Sequence, residues 1–191
     1  MKVRINDVRQ VFPQLHEAKA VNGQGEPKFS GGFVLPKDHP QLGEIKAAIV
    51  AAATEKWAAK AGEVLKALQA TDKICLHDGD GKSEYEGYAG NYYINASNKI
   101  RPLVIGPNRE PLVAADGKPY SGCYVNVMLE FWAQDNQFGR RVNASLLGVQ
   151  FVKDGQRLAG GGVAAADDFE AIAPVEAAKV EESGKGASSL F

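Results

Sequence analysis

The stretch YSGCYVNVMLEFWAQ, residues 120–134, limits the fold more than any other part of the chain. Cys123, Val125, Val127, Leu129 and Phe131 alternate with Tyr124, Asn126, Met128, Glu130 and Trp132. A period of two puts an apolar row on one face of a strand and a mixed row on the other. After the turn residues DNQ comes FGRRVNASLLGVQFVKDG, the natural partner of that strand. The chain therefore carries a long antiparallel ribbon whose apolar face must be covered by other elements.

The remaining elements read as follows. Residues 1–12 alternate weakly, with Val3, Ile5, Val8 and Val11 directed inward, and predict an opening strand. A Gly-rich turn leads to a strand from Lys28 to Leu35, where Gly31 and Gly32 predict a bulge or sharp bend. One long helix follows, with Asp38 as its cap and Pro40 in its first turn. Leu42, Ile45, Ile49, Ala53, Trp57, Ala61, Val64 and Leu68 form its buried stripe, and Gly62 is where it would divide. Trp57 on that stripe belongs to the core. NYYINASNKIRPLVI reads as a strand ending at Pro102, and GPNREPLVAADGKP as a turn-rich excursion. Five or six strands with one long helix predict a mainly β fold, a small closed or partly closed barrel with the helix against one end.

Composition enters at the two ends of the chain. The 191 residues carry a net charge of -1, but residues 167–191 hold six acids and two lysines, a balance of -4. Residues 1–166 hold 20 basic and 17 acidic groups, a balance of +3. The last segment is rich in Ala, Gly, Ser and Glu, so residues 1–170 are expected to form one domain and residues 171–191 a disordered acidic tail. The start MKVRINDVRQVF lacks the apolar core of a signal peptide, and no run is long enough to span a bilayer. The two cysteines, Cys75 and Cys123, have no metal-ligand spacing, which fits a reduced cytoplasmic setting.

The segment DGDGKSEYEGYAGNYYINASNK, residues 78–99, supports two opposed readings. Asp78, Asp80, Glu84 and Glu86 offer a cluster of carboxylates for a metal-dependent nuclease or phosphohydrolase. A calcium loop begun at Asp78 fails, however, because Lys82, Ser83 and Ala89 stand where an oxygen ligand, Gly and Glu are needed. His77 precedes Asp78, but His16 and His39 supply no matching ligand spacing. HDGDGK is better explained as a turn, and no metal or cofactor is expected. Nor is there a nucleophile motif or a phosphate loop: GQGEP and LAGGGVAA lack the Gly-Lys-Ser/Thr ending.

The second reading rests on rings and cations. Tyr85, Tyr88, Tyr92 and Tyr93 lie beside Lys82, Lys99 and Arg101; Tyr120, Tyr124 and Trp132 lie on or near the long strand, and Phe138 precedes Arg140 and Arg141. Cations neutralise phosphates, and flat rings stack on bases of any identity. Tyr92 and Tyr93 are adjacent on one strand, so they cannot face the same groove.

EPKFSGGFVLPK (26–37), LHDGDGKSEYEGYAGNYYINASN (76–98), PYSGCYVNVMLEFWAQDN (119–136), GRRVNASLLGVQFVKDGQRL (139–158) and ADDF (166–169), in this order, resemble phage-encoded single-stranded DNA-binding proteins with an OB fold, over roughly residues 1–170. The resemblance implies a five-stranded OB-like barrel with hairpin excursions. It also implies a protein without catalysis that coats single-stranded DNA during phage replication or recombination, with little sequence preference, in the cytoplasm of the bacterial host. Expected DNA-binding residues are Lys28, Phe33, Lys37, Lys82, Tyr85, Tyr88, Tyr92, Tyr93, Lys99, Arg101, Trp132, Arg140 and Arg141. Such proteins often recruit replication partners through an acidic tail with a terminal aromatic, here Glu181, Glu182 and Phe191, although SGKGASSL separates the acids from the ring. The alternatives are the metal-dependent enzyme above and a structural phage protein.

Overall fold

In the computed structural model, residues 1–21 and 24–158 are described. Seven strands form one sheet: β1 (Lys2–Val21), β2 (Gln24–Pro36), β3 (Leu76–Asp78), β4 (Asn91–Asn98), β5 (Leu103–Ile105), β6 (Tyr124–Asn136) and β7 (Gly139–Lys153). Their order is β3-β4-β2-β1-β6-β7-β5. The expected β6–β7 ribbon is present, with Trp132 opposite Asn143 and Gln134 opposite Arg141. Tyr92 and Tyr93 are likewise on opposite faces of β4.

The sheet curls like a barrel but is open rather than closed, and it has seven strands where five were expected. Its two sides meet along a seam between β7 on one side and, on the other, β4 and the segment just before β3. There Cys75 N donates to Val142 O at 2.9 Å and Val142 N donates to Lys73 O at 3.0 Å. Further along, Asn98 Nδ2 donates to Leu146 O at 3.1 Å. The strand expected to run on to Pro102 ends at Asn98, and β5 instead pairs in parallel with β7.

The core follows the alternation. Val125, Val127, Leu129 and Phe131 of β6 meet Val142, Ala144, Leu146 and Val149 of β7, with Val3, Ile5 and Val8 of β1. Ile5 and Val8 both point inward because the β1–β6 register shifts between them, where Asp7 adopts a φ of 50°. Val11 leaves the main core and joins Val34, Tyr88, Tyr93 and Leu158 in a smaller cluster on the other face.

The helical region is α1 (Leu42–Trp57), a 3-10 turn (Ala58–Lys60) and α2 (Ala61–Ala70). It breaks at Ala58, with a φ of 47°, and not at Gly62. Its first cap position is Gln41, which makes no side-chain cap bond, so Asp38 is not the cap. Ile45, Ala48, Ile49, Ala52, Ala53 and Trp57 cover the core, each buried isoleucine contributing about 1.5–3 kcal/mol. Among the described residues no helix is long and apolar enough to cross a membrane.

The bulge expected at Gly31 and Gly32 is present in the β1–β2 ladder, where the register shifts between Val11–Gly32 and Gln14–Ser30, with the extra residue on β1. The β2–β4 register runs from Phe29 to Pro36 without a shift. A Cβ on Gly32 would lie 2.5 Å from Val11 Cγ2, so the missing side chain lets β1 pack closely.

Candidate nucleic-acid interface

A groove of about 730 Å³ runs over the outer face of the seam. One wall comes from alternate residues of β2 and β4, Lys28, Ser30, Asn95 and Ser97, with Lys99 just past the end of β4. The other comes from β6 and β7: Trp132, Gln134, Arg141, Asn143 and Ser145. Asp72, Lys73, Ile74, Cys75 and His77 lie at one end, where the connection out of α2 bridges to Val142. The same alternation that drives Ile94, Ala96, Val142 and Ala144 inward points these polar side chains outward.

The wall on β6 and β7 is held in place. Trp132 Nε1 donates to Ser145 Oγ at 3.0 Å, fixing an indole that is 43% exposed. Asn143 Nδ2 donates to Gln134 Oε1 at 3.2 Å. Arg141 makes no ion pair among the described residues, nor does Lys28, whereas Lys99 pairs with Glu26. At the far end the His77 ring stacks on Tyr93 with centroids 4.8 Å apart, and its Nδ1 lies 2.6 Å from Asp72 Oδ1.

Four of the expected binding residues thus line the groove: Lys28, Lys99, Trp132 and Arg141. Tyr85 stands near it, its ring edge-on to Phe12 at 5.9 Å, and both rings are exposed. Phe12 itself lines the groove and was missed. Val11 already belongs to the outer cluster, so simple alternation would turn Phe12 inward; its φ of 46° and the β1–β2 register shift between Val11 and Gln14 bring the ring to the groove instead, which the period of two does not reveal.

The other expected residues are elsewhere. Phe33 is fully buried in the core between the sheet and helix, so it has no face for a base. Tyr88 and Tyr93 are buried against Val11, Val34 and Leu158. Burial pushes the Tyr88 phenol up to about 12. Lys82 stands 5.3 Å from the centre of the Tyr93 ring, and hydrogen bonding to that phenol raises its pKa. Tyr92 packs against the core, with Lys37 and Lys46 near its ring at 5.5 and 5.6 Å. Arg101 contacts His16 Nδ1 at 3.3 Å. Arg140 donates from Nε to Asp135 Oδ2 at 3.1 Å, on the side of the ribbon away from Arg141. Glu181, Glu182, Phe191 and the whole expected tail lie outside the described residues.

The acidic segment has a structural task. Asp78 caps the 3-10 turn Gly79–Lys82, accepting from Asp80 N at 3.0 Å, and Asp80 Oδ1 accepts from Gly90 N at 2.6 Å. Lys37 Nζ then bridges the pair, 3.1 Å from Asp78 Oδ2 and 2.6 Å from Asp80 Oδ2. The Lys37 hydrogen bond holds the Asp80 carboxyl below its usual range, and the two acids raise Lys37 in turn. Gly79 is needed because a Cβ there would lie 2.1 Å from Tyr88 O. Among the described residues no three His, Cys, Asp or Glu side chains gather as a metal site. Both thiols are buried and pushed up by desolvation, Cys75 to about 12 and Cys123 to about 11, so neither is poised as a nucleophile.

The chain is 49% identical over 179 residues to putative protein p50 of Acyrthosiphon pisum secondary endosymbiont phage 1, covering 92% of this chain and 96% of the relative. It is similar to the single-stranded DNA-binding protein from bacteriophage Enc34 solved in complex with ssDNA, with a TM-score of 0.70 and 26% identity over 82% of this chain and 88% of that one. The bacteriophage T7 single-stranded DNA-binding protein gp2.5, at 18% identity and a TM-score of 0.55 over 98% of this chain and 100% of that one, shares the fold. The family model described as Enterobacter phage Enc34, ssDNA-binding protein, matches residues 1–182, and the chain belongs to that family.

Proposed function

We propose that the protein binds single-stranded DNA along the seam groove and coats it, without chemical turnover, during phage DNA replication or recombination. The observation that carries this reading is the pairing of Trp132 and Arg141 on one wall with Lys28 and Lys99 on the other. Rings stack on bases without choosing among them, and cations follow the phosphates. The hydroxyl and amide side chains between them supply hydrogen bonds. A relative solved in complex with ssDNA supports the same reading. The engagement of Asp78 and Asp80 by Lys37 speaks against the metal-dependent enzyme. The decisive experiment incubates labelled oligonucleotide with protein and magnesium across a salt series. A shift that weakens with salt and leaves the oligonucleotide intact is expected. Cleavage, or no shift at low salt, rejects the proposal.

Residues 171–191 are an acidic tail beyond a DNA-binding domain of residues 1–170 in this reading. With the segment from Asp167 at -4 and the rest at +3, the tail competes weakly for the cationic groove. Glu181, Glu182 and Phe191 are the residues offered to replication or recombination proteins. Truncation after Glu170 should tighten single-strand binding at low salt, and the gain should fade as salt rises. Weaker binding by the truncated chain rejects the competition. The site of action in this reading is the cytoplasm of the bacterial host.

A further inference from the structure

The β6–β7 ribbon extends past the groove and ends in the turn Gln137–Phe138, between the paired residues Asn136 and Gly139. The Phe138 ring is 76% exposed there. A ring so placed gives the fold little, because most of its apolar surface stays in water. The turn beneath it is nevertheless well fixed. Phe138 N donates to Asn136 Oδ1 at 2.9 Å. Gln134 Nε2 donates to the same oxygen at 3.1 Å and lies 3.4 Å from Gly139 O. Gln134 in turn accepts from Asn143 Nδ2, and both of those residues line the groove. A short relay of amides thus connects the groove wall to the ring at the tip.

The charges around the tip have two sides. Arg141 faces the groove. Arg140, next to it, points to the opposite face of the ribbon, where Asp135 holds its Nε and also accepts from Trp57 Nε1. A single strand in the groove meets Arg141 alone. Two strands that part at the tip meet one arginine each.

We propose that this tip recognises the junction where a duplex meets the single strand held in the groove, with Phe138 stacked on the terminal base pair. Arg141 leads one strand into the groove, and Arg140 faces the strand that diverges behind the ribbon. A terminal base pair suits the ring better than a lone base does. The tip has one face and no second wall, so a base in a flexible strand must surrender its own freedom to stack there. The outer face of a terminal pair is already flat, ordered and without a neighbour. The inference rests on the groove as the single-strand site, and it adds a second class of DNA structure to the ligands.

The test uses the full chain, a short single-stranded oligonucleotide, and the same strand flanked by duplex on either its 5′ or its 3′ side. Affinities are read by fluorescence anisotropy for the wild type, Phe138→Ala and Phe138→Trp. The wild type should prefer one of the two junction polarities over the plain strand. Phe138→Ala should weaken that junction about tenfold, the scale of one lost stack, and change the plain strand by less than about twofold. Phe138→Trp should retain the preference. A fluorescent base analogue in the terminal pair should be quenched by the wild type and not by Phe138→Ala. Equal weakening of plain strand and junction makes the ring an ordinary single-strand contact and overturns the proposal. So does weakening of neither. A wild type that fails to bind the plain strand rejects the groove reading itself, a result separate from the other two.

Discussion

Trp57 Nε1 donates to Asp135 Oδ2 at 2.9 Å, tying the last turn of α1 to the outer end of β6. The same oxygen accepts from Arg140 at 3.1 Å, so one carboxylate joins the helix to the ribbon beside the groove. The Trp57 bond, then the charge of Arg140, hold Asp135 below its usual pKa. A carboxyl depressed in the folded state stabilises above its unfolded pKa and loses that contribution as pH falls through the folded one. Asp135→Ala should therefore lower the thermal midpoint at neutral pH, and its gap from the wild type should narrow in acid, below the ordinary value of 3.8. Melting curves at both pH values test this, and a gap of constant size refutes it.

The two tryptophans should report differently on DNA. Trp57 is buried against the sheet, whereas Trp132 lies half-exposed on the groove wall. Addition of a single-stranded oligonucleotide should quench Trp57→Phe nearly as much as wild type and should leave Trp132→Phe largely unquenched. The reverse pattern places DNA away from the seam.

Arg140 and Arg141 should separate in a salt titration. Each phosphate contact on a single strand adds about 0.7 to the slope of log affinity against log salt. Arg141→Ala should lower the slope for a short single strand by about that amount. Arg140→Ala, already held by Asp135 on the other face, should lower it less. Equal slopes for the two variants contradict the facing described for the ribbon.

Gly79→Ala tests the acidic turn. Its Cβ would meet two backbone oxygens, Tyr88 O at 2.1 Å and Asn91 O at 2.7 Å, neither of which can swing aside. A loss of about 1–3 kcal/mol in urea unfolding is expected, as for an overpacked site. A fully stable variant shows that the turn has room to open.

The parts legible in the sequence are those with a short period. Cys123 to Trp132 sets β6, and the stripe from Ile45 to Leu68 sets the helices, because each pattern needs only its own neighbours. The seam is different. Ile74 bridges to Val142 across a stretch of chain that contains four strands, and no local pattern encodes that partner. The facing of the tyrosines depended on it. Tyr93 points outward by alternation yet is covered by Tyr88 and Leu158, which arrive from other parts of the chain. Phe33 was expected to stack on DNA, but it lies on the inward face of β2, fully buried, and which face of that strand meets the helix is not written in its own neighbours. Lys37 and Lys82 read as cations for DNA, while their nearest partners are an acid pair and a phenol.

The two backbone bonds between Lys73–Cys75 and Val142 are the weak line of the sheet, where a curled ladder stops short of closing. The groove lies directly over that line. A ligand gripped from both walls acts as a clasp across the gap and resists the separation of β4 from β7. If the proposed groove is the binding site, a strand under tension pulls across the line that two backbone bonds hold, and not along the continuous ladders of β1, β2, β6 and β7.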